Sequence, residues 1–329
     1  MTLIAIEEHW MMPELTSALG ALPEQDRDES LAFNEMGDHA QRLADLSEGR
    51  IAAMDAQGID LSILALTPPG THPLPAADAV RLSRAANDLA AAAVSSRPSR
   101  FRALSTLPMS SPKDVVGELE RAAGLGHVGA MVYGRAGDLL LDDPVYEDFF
   151  ATAANLGQPV FIHPQLPSRA LRDASYRGFD PTTDLALATF GWGWHMDAAT
   201  AALRLILRGT FDRHPDLRVV LGHWGEMLPF WVDRADSLSR IAGLQRKVSD
   251  YIRSNFYITA SGMLNPALLR HTLSVTSIDR LIFSTDYPFQ HPTREDITTF
   301  LDHFDSDVER HAFSSANAVS LYGLEGVGN

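Results

Sequence analysis

Five side chains that can bind a metal ion or move a proton lie in four short segments of the sequence. Glu7 and His9 stand two residues apart, and the other segments supply His163, His223 and Asp286. Carboxylates and imidazoles hold divalent transition metals, and they also act as general acids and bases near neutral pH. Because the chain contains no cysteine, a metal site here must be built from His, Asp and Glu.

Each of these residues also has an ordinary structural explanation. A glutamate after a strand is commonly a solvated turn residue, a histidine before proline can be a core residue, and an aspartate often caps a turn. However, no basic residue adjoins these carboxylates, and a buried carboxylate without a partner is unfavourable. We therefore predict one bound divalent transition metal, and ligands without thiolate favour Zn²⁺, Mn²⁺ or Fe²⁺ over Ca²⁺ or Mg²⁺.

The elements that position these residues follow from alternating apolar runs and helical patterns. Strands are predicted over 3–6, 61–65, 102–106, 127–133, 159–162, 217–221, 256–259 and 281–284. Helices are predicted over 49–57, 76–95, 112–123, 145–156, 197–208, 228–242, 266–274 and 293–304. Eight such units predict an α/β fold, a (β/α)8 TIM barrel, in which the C-terminal strand ends converge on one mouth. The period-2 spacing of Glu7 and His9 points both side chains to one side of a strand.

Two long segments fit no strand–helix unit, namely residues 10–46 and 165–189. We expect them to be insertions after strands 1 and 5 that form lids or pocket walls at the mouth. Trp192, Trp194 and His195 follow the second segment and could border the pocket, although core packing is common for tryptophan. Without a linker or repeat, residues 1–329 are predicted to form one domain.

Composition limits the classes of partner. Hydrophobic residues make up 45% and charged residues 21% of the chain, as in soluble globular proteins. With 27 basic and 42 acidic residues the formal charge is −15, which argues against nucleic acid and anionic membranes as partners. The N-terminal residues lack the basic start of a signal peptide. We expect a soluble cytoplasmic protein that forms a homo-oligomer, a dimer or a tetramer.

Several motifs resemble those of the amidohydrolase-related family. They are EEH at 7–9, MDAQGID at 54–60, HP at 163–164, LGHWGEMLP at 221–229 and STDYPF at 284–289. Within that family the chain is similar to the metal-dependent, non-oxidative aromatic acid decarboxylases, such as the γ-resorcylate, 2,3-dihydroxybenzoate and 5-carboxyvanillate decarboxylases. The resemblance spans nearly the whole chain.

The resemblance implies roles for individual residues. The metal ligands would be Glu7, His9, His163 and Asp286, in a mononuclear site because the fourth strand has no lysine. Glu226 would orient His223, and Asp286 would also carry the catalytic proton. The substrate would contact three further residues, namely Arg50, Arg234 and Phe289.

Three functions stay open at this point. The first is decarboxylation of a hydroxylated aromatic acid, with Zn²⁺ or Mn²⁺ as cofactor. The second is metal-assisted hydrolysis of a lactone or amide, which the same residues could carry out. The third is a barrel that binds a small acid without turnover. Gln165 and Tyr133 replace an Arg and an Asn that several of the decarboxylases carry, so the resemblance does not fix the substrate.

Overall fold

A parallel eight-stranded barrel forms the centre of the computed structural model, which describes residues 1–324. Its strands are hydrogen-bonded in the order β1-β2-β3-β4-β7-β8-β9-β10. A bond from Ile6 N to Phe283 O, 3.2 Å long, connects the first strand to the chain after the last one. The strands are β1 Ile4–Trp10, β2 Leu61–Leu66, β3 Phe101–Thr106, β4 Gly129–Tyr133, β7 Val160–His163, β8 Val219–Leu221, β9 Phe256–Thr259 and β10 Leu281–Ile282. A small antiparallel hairpin follows β4 and consists of β5 Arg135–Ala136 and β6 Leu139–Leu140.

The helices lie between and after the strands. In the first half they are α1 Pro13–Gly20, α2 His39–Ala44, α3 Glu48–Gln57, α4 Ala76–Ser96, α5 Pro112–Gly124, α6 Glu147–Leu156, α7 Arg169–Ser175 and α8 Pro181–Ala188. In the second half they are α9 Gly193–Leu207, α10 Thr210–Arg213, the single turn α11 His223–Glu226, α12 Val232–Ala235, α13 Ser237–Ile241, α14 Val248–Asn255, α15 Pro266–Val275, α16 Arg294–Leu301, α17 Asp307–His311 and α18 Asn317–Tyr322. Short 3-10 turns lie at Glu24–Asp26, Glu29–Glu35, Pro144–Tyr146, Pro229–Trp231 and Ile278–Arg280, and one π turn at Ala312–Ala316.

The predicted TIM barrel is confirmed, and each of the eight predicted strands is present. The predicted helix over 228–242 is present only in pieces, as a 3-10 turn followed by the short helices α12 and α13. Trp231, with φ of −112° and ψ of 10°, departs from helix geometry between the turn and α12, whereas Asp236 between the two helices keeps helical dihedrals. None of the helices in residues 1–324 combines the length and apolar character that crossing a membrane requires.

Strand β1 contains an irregularity that decides which side chains enter the barrel. Ile4 and Ile6 belong to an apolar cluster inside the barrel that draws on all eight strands, whereas Ala5 packs toward the helices. Strict alternation would therefore place Glu7 and His9 on the helix side, with Ala5. Instead, the pairing with β2 skips Glu7, whose φ is 74°. This bulge shifts the phase by one residue, so that His9 pairs with Ala65 of the interior cluster.

The two long segments contain short helices and turns. The segment after β1 holds α1, α2 and two 3-10 turns, and the segment after β7 holds α7 and α8. The first segment lines the cavity at the barrel mouth, for example through Phe33, whereas Phe190, which also lines it, directly follows the second segment in the chain. That the two segments are insertions and act as lids stays a prediction.

Candidate metal centre and catalytic cavity

Four buried side chains meet where the strands open at the barrel mouth. Glu7, His9, His163 and Asp286 each offer one nitrogen or oxygen atom, and these four atoms lie within 4.8 Å of one another. Their residues are between 0% and 8% exposed. The His9 Nε2 to Asp286 Oδ1 distance is 3.2 Å, and the His163 Nε2 to Glu7 Oε1 distance is 3.6 Å. The four residues predicted from the sequence to form one cluster therefore lie together in the structure.

The carboxylate of Glu7 has one oxygen fixed by the protein and one left over. Oε2 accepts hydrogen bonds from the hydroxyls of Thr259 at 3.0 Å, Ser261 at 2.5 Å and Ser284 at 3.2 Å. Oε1 is buried and has no hydrogen-bond partner in the described residues. A carboxylate held in this way presents its second oxygen as a preformed ligand.

The histidines of the cluster are arranged similarly. The carbonyl oxygen of Pro164 can only accept, so Nδ1 of His163, 2.7 Å away, carries the hydrogen. Its Nε2 then has a free lone pair and, within residues 1–324, no hydrogen-bond partner. His9 Nε2 is also buried without a hydrogen bond in that part of the chain. Three buried ligand atoms without partners, together with Asp286, match the donor set of a divalent transition metal.

Burial controls the protonation of these groups. It raises the pKa of Glu7 to about 8 and lowers the pKa of His163 to about 3. Burial also acts to raise the pKa of Asp286, but the neighbouring imidazoles of His223 and His9 outweigh it and hold that pKa well below the ordinary value. A divalent cation would stabilise the charged form of Glu7, and neutral His163 is the form that binds a metal.

The backbone is strained at these positions. In residues 1–324, all seven non-glycine residues with positive φ lie at the barrel mouth. They include Glu7 at 74°, His223 at 46°, Glu226 at 55° and Asp286 at 60°. Such conformations cost about 1 to 3 kcal/mol each and cluster at functional sites. Backbone strain is therefore concentrated at the barrel mouth, at the residues whose side chains form the site.

Gly222 fits the chain closely beside this centre. A Cβ at this position would lie 2.8 Å from Glu7 Oε1, 3.0 Å from Ser261 Oγ and 3.1 Å from Glu226 Oε1. Only glycine lets β8 pass so close to both carboxylates. His223 is the next residue, and the turn α11 that it begins directs its imidazole toward Asp286.

His223 joins the centre to a second carboxylate. Its Nε2 lies 3.8 Å from Asp286 Oδ2, and its Nδ1 lies 2.8 Å from Glu226 Oε1. Burial acts to lower the pKa of His223, but Glu226 and Asp286 raise it well above the ordinary value. The predicted pairing of Glu226 with the imidazole of His223 agrees with this geometry.

His195 lines the cavity, as the sequence analysis allowed, and it also binds Glu226, which that analysis did not predict. Its Nδ1 lies 2.7 Å from Glu226 Oε2, so one carboxylate stands between two imidazoles. Burial acts to raise the pKa of Glu226, but the two histidines bring it down to about 2. His195 lies in the first turn of α9 and not at a strand end, so the barrel pattern contained no signal for it.

A cavity of about 310 Å³ opens above the cluster. Its floor is formed by His163, His223 and Asp286. Its apolar walls are Phe33, Met36, Pro68, Phe190, Trp194, Met263 and Phe289. Its remaining lining residues are Ser30, Asn34, His39, Thr67, His195 and Gln290. No lysine or arginine of residues 1–324 lines the cavity, whose shape and walls suit a flat apolar ring.

The three predicted substrate contacts differ in position. Phe289 lines the cavity, with its ring centroid 5.8 Å from that of His9. Arg50 is buried outside the lining, where its guanidinium donates to the carbonyl of His9 at 2.5 Å and lies over the ring of Tyr287. Arg234 is exposed on α12 and does not line the cavity. The structure thus brings only Phe289 to the cavity, and substrate contacts of the two arginines stay predictions.

The tryptophans beside the second long segment are not core residues. Trp192 is 45% exposed and lines a surface groove with Phe230 and Trp231. Trp194 lines the catalytic cavity, as the alternative interpretation expected. Core packing is therefore wrong for both tryptophans.

Comparison with known proteins adds a family and several relatives. A family model described as amidohydrolase matches residues 34–324. The chain is 33% identical to gamma-resorcylate decarboxylase of Rhizobium sp. (strain MTP-10005), and the match covers 98% of each chain.

Two solved structures are also similar. The crystal structure of 5-carboxyvanillate decarboxylase from Sphingomonas paucimobilis superposes with a TM-score of 0.88 at 31% identity, covering 98% of this chain and 99% of the other. That of a dihydroxybenzoic acid decarboxylase from Polaromonas sp. JS666, with bound manganese and the inhibitor 2-nitroresorcinol, gives 0.82 at 31% identity, covering 98% and 97%.

Proposed function

The chain belongs to the amidohydrolase family, and from that premise we propose that it is a metal-dependent, non-oxidative decarboxylase of a hydroxylated aromatic acid. One observation carries the proposal: a buried cluster of two carboxylates and two imidazoles adjoins an aromatic cavity, which it reaches through His163 and Asp286. The similar proteins named as decarboxylases of dihydroxybenzoate and carboxyvanillate support it.

Glu7, His9, His163 and Asp286 would hold the metal. A divalent cation held by these residues would supply Lewis-acid chemistry, stabilising negative charge that develops on the substrate's oxygen atoms. The similar decarboxylase structure from Polaromonas sp. JS666 contains manganese, and we propose Mn²⁺ or Zn²⁺ for this chain.

Asp286 is the residue that we assign to proton transfer. Its carboxylate receives a proton from the protonated imidazole of His223 and passes it to the ring carbon that bears the substrate carboxylate, which forms a C–H bond and interrupts the aromatic system. The bond from that carbon to the carboxylate then breaks. Its electron pair restores the aromatic ring, and CO₂ leaves. No oxidant or reductant takes part, so the reaction is non-oxidative.

His223 and Glu226 assist from beside the cluster. Because the carboxylate of Glu226 is the partner of His223 Nδ1, Nδ1 carries a hydrogen and Nε2 faces Asp286. The imidazole can therefore return a proton to Asp286 or stabilise charge on a ring hydroxyl. Glu226, at about 1% exposure, supports a positive charge on His223.

The cavity narrows the substrate class. Its aromatic walls suit an apolar ring, and in the described chain the lining offers no lysine or arginine for a second anionic group. We propose a monocarboxylic acid with a hydroxyl ortho to the carboxylate and uncharged ring substituents. Phe289 would contact that ring.

Hydrolysis of a lactone or amide is the less favoured alternative. The similar proteins reported above are named as decarboxylases, and the chemistry of the cluster alone does not separate the two reactions.

A cytoplasmic location and a homo-oligomeric state also stay predictions.

The test is turnover by metal-loaded protein on a matched panel. The protein is loaded with Mn²⁺ or Zn²⁺ and incubated with ortho-hydroxybenzoates, with benzoate lacking the hydroxyl, and with lactones. We expect CO₂ release from at least one hydroxybenzoate and none from benzoate. Acid release from lactones without CO₂ from any hydroxybenzoate would overturn the proposal in favour of hydrolysis.

A further inference from the structure

The carboxylate of Glu226 is shared by two imidazoles. Oε1 lies 2.8 Å from Nδ1 of His223, and Oε2 lies 2.7 Å from Nδ1 of His195. The glutamate is 1% exposed, so an oxygen that lost its donor would have little water to replace it. The two rings also meet edge to face, with centroids 4.5 Å apart.

The direction of these hydrogen bonds can be assigned. The indole N–H of Trp194, which can only donate, lies 3.0 Å from His195 Nε2. This bond makes Nε2 an acceptor and leaves the hydrogen on Nδ1. The carbonyl oxygen of Phe190 lies 3.1 Å from the same Nε2 and would accept a hydrogen from it if His195 were charged. In either state Nδ1 carries a hydrogen and donates it to Glu226.

His195, His223 and Glu226 also lie close enough to share a metal ion. The hydrogen bonds argue against that arrangement, because both Nδ1 atoms point their hydrogens at the carboxylate. A metal would have to displace both hydrogen bonds. The three residues are therefore better described as a hydrogen-bonded array.

We propose that His195 is a positioning residue for the reaction, acting through Glu226. Its Nδ1–H fixes the second oxygen of the carboxylate, and the fixed carboxylate in turn holds the ring plane and the tautomer of His223 toward Asp286. The role in turnover rests on the proposed decarboxylation. The effect on the geometry of His223 does not.

Two variants separate the hydrogen bond from the bulk of the side chain. His195→Phe keeps a ring but cannot donate, whereas the amide nitrogen of His195→Asn can replace the donor at Nδ1. Mutation of such outer partners typically changes activity by about 10- to 100-fold. We expect His195→Phe to lower kcat by about 10-fold with little change in KM or metal content, and His195→Asn to recover most of the loss.

A double-mutant cycle with Glu226→Gln tests whether His195 acts through the glutamate. If it does, His195→Phe lowers kcat much less in the Glu226→Gln background than in the native one. Equal losses in both backgrounds, or equal losses in the Phe and Asn variants, would overturn the proposal. Thermal unfolding of every variant identifies a loss that comes from misfolding.

A measurement without substrate keeps this inference separate from the proposed function. In ¹⁵N NMR of the metal-loaded protein, we expect the ring nitrogen signals of His223 to move in His195→Phe and to return in His195→Asn. Unchanged His223 signals in His195→Phe would contradict the coupling even if the enzyme is active. An inactive native protein with the expected NMR shifts would refute the decarboxylation alone.

Discussion

Replacement of Glu226 by Gln should reduce turnover and leave the metal in place. Glu226 accepts two imidazole N–H groups, at 2.8 Å from His223 and 2.7 Å from His195. Glutamine has the same shape but only one accepting oxygen. One imidazole N–H must therefore face an amide NH₂ group, and the negative charge that supports His223 is lost. Because Glu226 is outside the four-residue cluster, no metal ligand is removed.

Two routes give the size of this effect. A hydrogen bond to a charged group contributes about 1.5 to 3 kcal/mol. Outer partners of metal sites change activity by about 10- to 100-fold, which corresponds to about 1.4 to 2.7 kcal/mol at 1.36 kcal/mol per tenfold change in rate. The two free-energy ranges agree, so we expect Glu226→Gln to lower kcat by about 10- to 100-fold.

The assay compares turnover with metal content in the same preparations. Steady-state CO₂ release gives kcat and KM, and elemental analysis gives metal per chain. Glu118→Gln is a matched control, since Glu118 is also buried at 2% exposure but pairs with Arg121 and Asn87 away from the cavity. The control should lose stability and keep its activity per folded chain. Equal loss of metal and rate in Glu226→Gln would refute the reasoning, because the glutamate would then support the metal site itself.

Three further predictions follow from the same geometry. His163→Ala removes one of four ligands, so metal per chain, measured by elemental analysis, and CO₂ release should both fall; full metal occupancy would show that His163 is not a ligand. Asp286→Asn should lower kcat by at least about 100-fold, since an amide cannot deliver the proton, and near-native turnover in the steady-state assay would exclude Asp286 as the acid. A hydroxybenzoate with a second ring carboxylate should show a much lower kcat/KM than its methyl analogue, because no lysine or arginine of the described residues lines the cavity; the reverse preference would exclude the proposed substrate class.

The barrel was predictable because its signal repeats. Each parallel strand is a short apolar run buried on both faces, and a helix follows it, so one misjudged boundary does not change the count. The helix predicted over 228–242 is divided into a 3-10 turn and two short helices. The departure from helix geometry is at Trp231, and the apolar periodicity gives no signal for a change of backbone dihedrals at one residue.

The metal cluster was predictable from the rule that strand ends converge on the barrel mouth. The period-2 spacing of Glu7 and His9, in contrast, does not by itself place them inside the barrel. Alternation correctly gives Glu7 and His9 a common side in a regular strand, and in this strand that side would have been the outside of the barrel. The bulge at Glu7 brings His9 inside. A left-handed glutamate is rare on local grounds, so its own sequence gives no reason to expect it.

Contacts made from helices were the part of the site that the sequence did not give. His195 was expected to border the pocket, but no strand-end rule indicates that it binds Glu226 from the first turn of α9. The guanidinium of Arg50 donates to the carbonyl of His9 outside the cavity lining, and its substrate contact stays a prediction. Both positions depend on how helices pack over the barrel, which a single sequence does not specify.

The most direct test of decarboxylation is the fate of the proton in D₂O. The metal-loaded protein is incubated with an ortho-hydroxybenzoate that it turns over, and the product is analysed by mass spectrometry and NMR. The account predicts one equivalent of CO₂ and one deuterium at the ring carbon that carried the carboxylate, because the proton comes from an acid in exchange with solvent. Product without deuterium at that carbon, or solvent oxygen in an acid released from a lactone with no CO₂ from any hydroxybenzoate, would contradict it.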